Sequence, residues 1–132
     1  MLTIMLVGFE KNSDGFIQTL QNDDDVSLVM VLSGKEALDI ISRKPHDLVI
    51  TAASLRDMDG LQFARDLVAC SPMTNCAVSS DMPPDTFHEA SEGLGLLAQL
   101  PVPPGPADAE EMLEKAKALK TAFTPLESRN PS

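Results

Sequence analysis

Five short apolar runs, LTIMLV (2–7), VSLVMVL (26–32), DLVIT (47–51), CAVSS (76–80) and LLAQL (96–100), are separated by segments of helical pattern. Strands that alternate with helices in this way are the signature of repeated β-α units around a parallel sheet, since parallel neighbours need a long crossover and a helix supplies it. The first three runs are continuous rather than alternating in hydrophobicity, which predicts strands covered on both faces.

The helices between them carry start signals with a clear mechanism: a Ser or Asp side chain caps one free amide, and a Glu or Gln three residues on reaches back. Ser33 with Glu36 opens the second helix in this way, Asp59 with Gln62 the third, and Asp108 with Glu111 the last. The third helix should turn Leu61, Ala64, Leu67 and Val68 inward. The first is expected over about Ser13 to Asn22, burying Phe16, Ile17 and Leu20, and a short fourth over about Asp85 to Glu92. LPVPPGP (100–106) is a stiff connection that can be neither helix nor central strand. The pattern therefore predicts one domain over residues 1–122, with 123–132 as a tail or the start of a linker.

Composition narrows the functional classes. A chain of 132 residues with 43% hydrophobic and 23% charged residues is an ordinary globular domain. Twenty acids against ten basic residues give a net charge of -10, which argues against nucleic acid and anionic membranes as partners. The apolar start lacks a basic leader and a cleavage site, so neither a signal peptide nor a membrane span is expected, and a reducing, cytoplasmic setting follows. Cys70 and Cys76 lack the spacing of a metal or redox pair and read as plain thiols. His46 and His88 have no evident carboxylate partner, and Ser79 and Ser80 sit in no nucleophile elbow. No cofactor, no metal site and no enzymatic activity are expected.

PHDLVITAASLRDMDGLQF (45–63) and GKEALDII (34–41), with a proline directly after the fifth strand, resemble a bacterial response-regulator receiver domain of two-component signalling over roughly residues 2–122. The resemblance implies a flavodoxin-like (βα)5 fold, three layers with a five-stranded parallel sheet in the order 2-1-3-4-5. It also implies where phosphoryl chemistry would sit. The acceptor carboxylate at the end of the third strand falls on Ala52, and the magnesium-binding acid pair falls on Gly8 and Phe9, with Glu10 the first carboxylate. The lysine position is Leu100, the switch hydroxyl is Ser80, and the aromatic of the fifth strand becomes Leu97. A cis bond is expected at Leu100–Pro101.

A methyl group cannot take a phosphoryl group, and one displaced Glu is a poor magnesium site. Loss of the whole set together avoids stranding uncompensated charge. Gly8, Phe9, Ala52 and Leu100 can then pack together, with a buried Phe9 ring contributing about 1.5–3 kcal/mol. The expected function is a non-phosphorylatable pseudo-receiver acting through protein contacts, by the family's face of fourth helix, fifth strand and fifth helix, where Phe87, the Pro-rich turn and Met112 lie; a homodimer is left open. The alternatives are an active receiver phosphorylated at Asp57, otherwise a plain loop acid, or a ligand-binding flavodoxin-like domain.

Overall fold

The structure, a computed structural model, describes residues 2–9 and 14–122. Ten elements alternate along them: β1 (Leu2–Val7), α1 (Asp14–Gln21), β2 (Val26–Val31), α2 (Gly34–Arg43), β3 (Leu48–Thr51), α3 (Gly60–Cys70), β4 (Asn75–Ser79), α4 (Pro84–Ala90), β5 (Ala98–Leu100) and α5 (Pro106–Ala122). All five strands are parallel in one sheet, ordered β2-β1-β3-β4-β5. Residues 123–132, the expected tail or linker, lie outside the described residues, as do Glu10 and Ser13.

The period of two along each strand divides the interior. Leu2, Ile4 and Leu6 of β1, with Leu48 and Ile50 of β3, meet Phe16 and Leu20 of α1 and Ala109, Met112, Leu113 and Ala116 of α5. The alternate residues Met5, Val7 and Val49 meet Ala37 and Ile41 of α2, Leu61, Phe63, Ala64 and Leu67 of α3, and Phe87 of α4. Helices thus cover both faces, which β3, buried throughout, and β1, buried at every position but Thr3, require. β2 departs from the expectation of full cover: as an edge strand it leaves Ser27 and Met30 exposed. In α3, Phe63 is fully buried and Val68 only half-buried, so the inward face is rotated from the expected one. Ile17 of α1 is likewise half-buried at the margin of its layer.

The caps follow local chemistry. Ser33 accepts from the Glu36 N–H at 3.1 Å, and Asp59 from the Gln62 N–H at 2.7 Å. The last helix begins earlier than its acidic signal implied. Pro106 is its first residue, where a missing N–H costs nothing, and Asp108 reaches back to accept from the Gly105 N–H at 2.7 Å. At the far end of α5, Lys117 donates to Asp23 at 2.7 Å and Lys120 to Asp47 at 3.1 Å. Burial would raise the Asp47 pKa, but hydrogen bonds from the Thr3 N–H, Lys120 and the Thr3 hydroxyl outweigh it and hold it below the ordinary carboxylate value.

One backbone expectation is corrected. The cis bond is Val102–Pro103, not Leu100–Pro101. β5 stays beside β4 through Pro101: the Ser80 N–H donates to the Leu100 carbonyl at 2.9 Å, and the Ser79 hydroxyl to the Pro101 carbonyl at 2.6 Å. The turn toward α5 therefore comes two residues later. No described helix is long and apolar enough to cross a membrane.

Candidate functional site

In a parallel α/β sheet, ligands meet the loops at the carboxyl ends of the strands. β1 and β3 are adjacent, with Val7 opposite Thr51, so Gly8 and Ala52 emerge side by side. The Ala52 N–H donates to the Val7 carbonyl at 2.9 Å, and the Gly8 N–H to the Val31 carbonyl at 2.8 Å. Gly8 has φ +81, a left-handed conformation that glycine takes without strain. A Cβ built there would lie 2.4 Å from Leu55 Cδ2 and 3.3 Å from Ala52 Cβ. The side of Gly8 where a carboxylate would project is thus filled by Leu55.

Phe9 is buried and turns toward α1, where its ring meets Phe16 at a centroid distance of 5.6 Å and an interplanar angle of 41°. Tilted rings at that spacing are in the favourable range for aromatic pairs. Leu100 is buried in the same layer, and half-buried Ala52 and Leu97 pack against it. Gly8 and Ala52 are thus neighbours, and Phe9, Ala52 and Leu100 belong to one apolar layer. Ser79, rather than Ser80, lies opposite Leu100 in the ladder. The Ser80 hydroxyl accepts from the Met82 N–H at 3.1 Å.

The loop from Ala53 to Asp59 is braced on three sides. Leu55 covers Gly8, Met58 packs over Gly34 at the start of α2, and Gly60 begins α3 with its N–H donating to the Ala53 carbonyl at 2.9 Å. Asp57 supplies a tie that sequence reasoning missed. Its two carboxylate oxygens accept from the Gly34 and Lys35 N–H groups, each at 2.9 Å, and so occupy the positive end of α2. The Gly34 bond, then the Lys35 bond, hold the Asp57 carboxyl below its ordinary pKa. The available signal was the pair of apolar residues Leu55 and Met58 three apart in a polar loop, a pattern that suggests a loop folded onto the domain.

The sign of the linkage follows. A carboxylate with a depressed folded pKa contributes stability that is present above its unfolded value and is lost as pH falls through the folded one. Asp57→Asn should speed amide exchange at Gly34 and Lys35 at neutral pH, and the wild type should approach the variant only below the ordinary carboxylate range. Equal protection in both proteins at neutral pH would refute the tie.

Magnesium, which such an edge binds in phosphate-receiving domains, does not fit the residues present. Gly8, Phe9 and Ala52 offer no side-chain oxygen, and among the described residues no group of three or more His, Cys, Asp or Glu could hold a metal ion. His46 is buried with Nδ1 2.9 Å from the Lys44 carbonyl, while His88 is exposed on α4. Cys76 is buried, which pushes its thiol up to about 12, and Cys70 is exposed. Phe87 and Met112, expected at the contact face, are buried, while Val102 of the Pro-rich segment is half-exposed.

No family model matches the chain, and no curated protein matches it. Solved structures do. The N-terminal domain of an uncharacterized protein from Wolinella succinogenes superposes with a TM-score of 0.78 at 20% identity, covering 94% of this chain and 100% of that one. The signal receiver domain of an HD domain-containing protein from Pseudomonas fluorescens Pf-5 does so at 0.76 and 21%, covering 92% and 90%. A CheY-like response regulator receiver domain protein from Methanospirillum hungatei JF-1 gives 0.78 and 18%, covering 92% and 98%. The fold is that of a response-regulator receiver domain. Within this fold Gly8 and Phe9 follow β1, Ala52 follows β3, and Leu100 ends β5.

Proposed function

We propose that this chain is a receiver-like signalling module that does not take up a phosphoryl group and acts through contacts with protein partners rather than as an enzyme. The reading is supported by Gly8, Phe9, Ala52 and Leu100 standing where the resemblance implies charged side chains, with Leu55 filling the space beside Gly8. Phosphoryl transfer to a carboxylate needs an ionised nucleophile and a cation to neutralise the developing charge. Neither is supplied by these side chains. Phosphorylation at Asp57 is disfavoured by its engagement with two amides of α2, which a phosphoryl group would have to break.

Without a covalent switch, any change of state must come from a partner or ligand with different affinities for two conformations. The test is incubation with acetyl phosphate and Mg²⁺ followed by intact mass. The wild type should show no stoichiometric, acid-labile adduct. Ala52→Asp alone should also stay unlabelled, because it restores the acceptor without its cation site or lysine. Labelling of either protein would overturn the proposal, and loss of label in Asp57→Asn would locate the acceptor.

A further inference from the structure

We propose that α4 is a hinged flap that opens from the sheet as one unit, with Gln99 of β5 as the latch on its front end. The helix has little else to hold it. It is seven residues long, a length at which a helix depends on tertiary contacts, and Phe87 is its one buried side chain. Its N-cap is Pro83, which makes no side-chain capping bond, so local chemistry does not fasten the start of the helix.

Gln99 supplies that fastening from a strand. It lies opposite Val78 in the ladder of β4 and β5, and its side-chain nitrogen donates to the Ser80 carbonyl at 3.1 Å and to the Met82 carbonyl at 2.9 Å. Both partners are acceptors only, so the NH₂ end of the amide is the end that fits. The two bonds bracket the segment that leads into Pro83, and within it the Met82 N–H turns back to the Ser80 hydroxyl at 3.1 Å. At the far end of α4, Arg65 of α3 donates to the Ala90 carbonyl at 3.1 Å.

Both flanks of the helix are loosely filled. A cavity of about 390 Å³ lies between α4 and β5, with Pro84, Phe87, Leu96 and Gln99 in its wall. Another of about 390 Å³ lies between α4 and α3, walled by Leu61, Arg65, Val78, Met82 and Ala90. Elements with few buried apolar contacts open at a lower free energy than the domain as a whole. The chain after the helix leaves room for such a motion. Gly93 and Gly95 follow at φ +84 and +64, and a Cβ built on either would meet nothing within 4 Å. Opening bares Phe87 and gives the domain a second conformation, which a module switched by its partner requires. In that respect the inference deepens the proposed function, but its geometry holds whether or not the domain takes phosphate.

Native-state amide exchange in graded low denaturant is the test. In the wild type the Phe87 and Ser91 N–H groups, which donate to the Pro83 and Phe87 carbonyls, should exchange together and well ahead of the amides of β1 and β3. Gln99→Glu keeps the side-chain length but sets a carboxylate against two carbonyls. It should speed exchange at both α4 amides by about tenfold or more, as the loss of two ordinary hydrogen bonds implies, and leave β1 and β3 unchanged. Gln99→Leu, which removes the donors without adding charge, should act in the same direction. Arg65→Met should loosen the same two amides, because both latches hold one unit. Wild-type α4 amides that exchange only together with the central strands would overturn the proposal, and that measurement needs no variant to fold. A Gln99→Glu protein in which exchange rises at Met82 alone, or equally throughout the sheet, would overturn it too. Acetyl phosphate labelling bears on phosphoryl uptake only, so the two readings can fail separately.

Discussion

Truncation of Phe16 to alanine is expected to lower folding stability by about 3–5 kcal/mol, the usual cost of deleting a buried aromatic ring. Phe16 is fully buried in the layer between the sheet and α1 with α5, and its ring is the partner of Phe9. The vacated space is bounded by β1 and α5, and the backbone of a central strand cannot move in to close it. A loss of this size is a large fraction of the ~5–15 kcal/mol by which domains are stable. Urea unfolding followed by far-UV circular dichroism should show the midpoint shifting strongly downward with its slope retained. A shift equivalent to under 1 kcal/mol would mean that Phe16 does not anchor α1 to the sheet.

Gly60→Ala is the second large effect, and its sign opposes helix propensity. In an open helix position, alanine gains about 1 kcal/mol over glycine. Here an added Cβ would lie 2.3 Å from the Ala52 carbonyl oxygen and 3.4 Å from that of Ala53. Both are backbone atoms of a short loop already braced by Leu55, Met58 and Asp57, so neither can swing aside as a side chain would. Relief requires α3 to draw back from β3, and overpacking of this kind costs about 1–3 kcal/mol. The expected net result is a destabilised protein, read by the same unfolding curves. A more stable Gly60→Ala protein would show that the loop yields freely.

The fold was legible because its signals are local and mutually consistent. The runs at 2–7, 26–32 and 47–51 became β1, β2 and β3 with ends shifted by at most one residue. CAVSS began one residue late relative to β4, and LLAQL overstated β5, whose first two residues lie in the approach to the strand. Ser33 and Asp59 cap the helices they precede, since that chemistry acts within four residues. Asp108 lies inside the helix rather than before it, because Gly105 and Pro106 offer an equally good beginning two residues earlier.

Longer-range features were harder to read. Pattern alone could not show that β2 would be half-covered, because the same apolar run serves an edge or a centre. Sequence position places Phe87 and Met112 in the expected contact region, yet each falls on the inward stripe of its helix. At the carboxyl edge, spacing placed Gly8 and Ala52 as neighbours, but not the leucine three residues beyond Ala52 that lies against Gly8. Asp57 meets α2 across 23 positions of sequence, and the apolar Leu55 and Met58 beside it signal only that the loop folds back, not which helix it meets.

The long last helix is fastened by two different forces. As far as Ala116 it adheres through methyl and thioether groups shielded from water, whereas beyond that point it adds half-buried Leu119 and the ammonium–carboxylate contacts to Asp23 and Asp47. Sulfate reinforces the first kind of adhesion and mutes the second. One solute therefore grips one half of this rod harder while loosening the other, so the rod's two ends need not respond alike to the ionic surroundings.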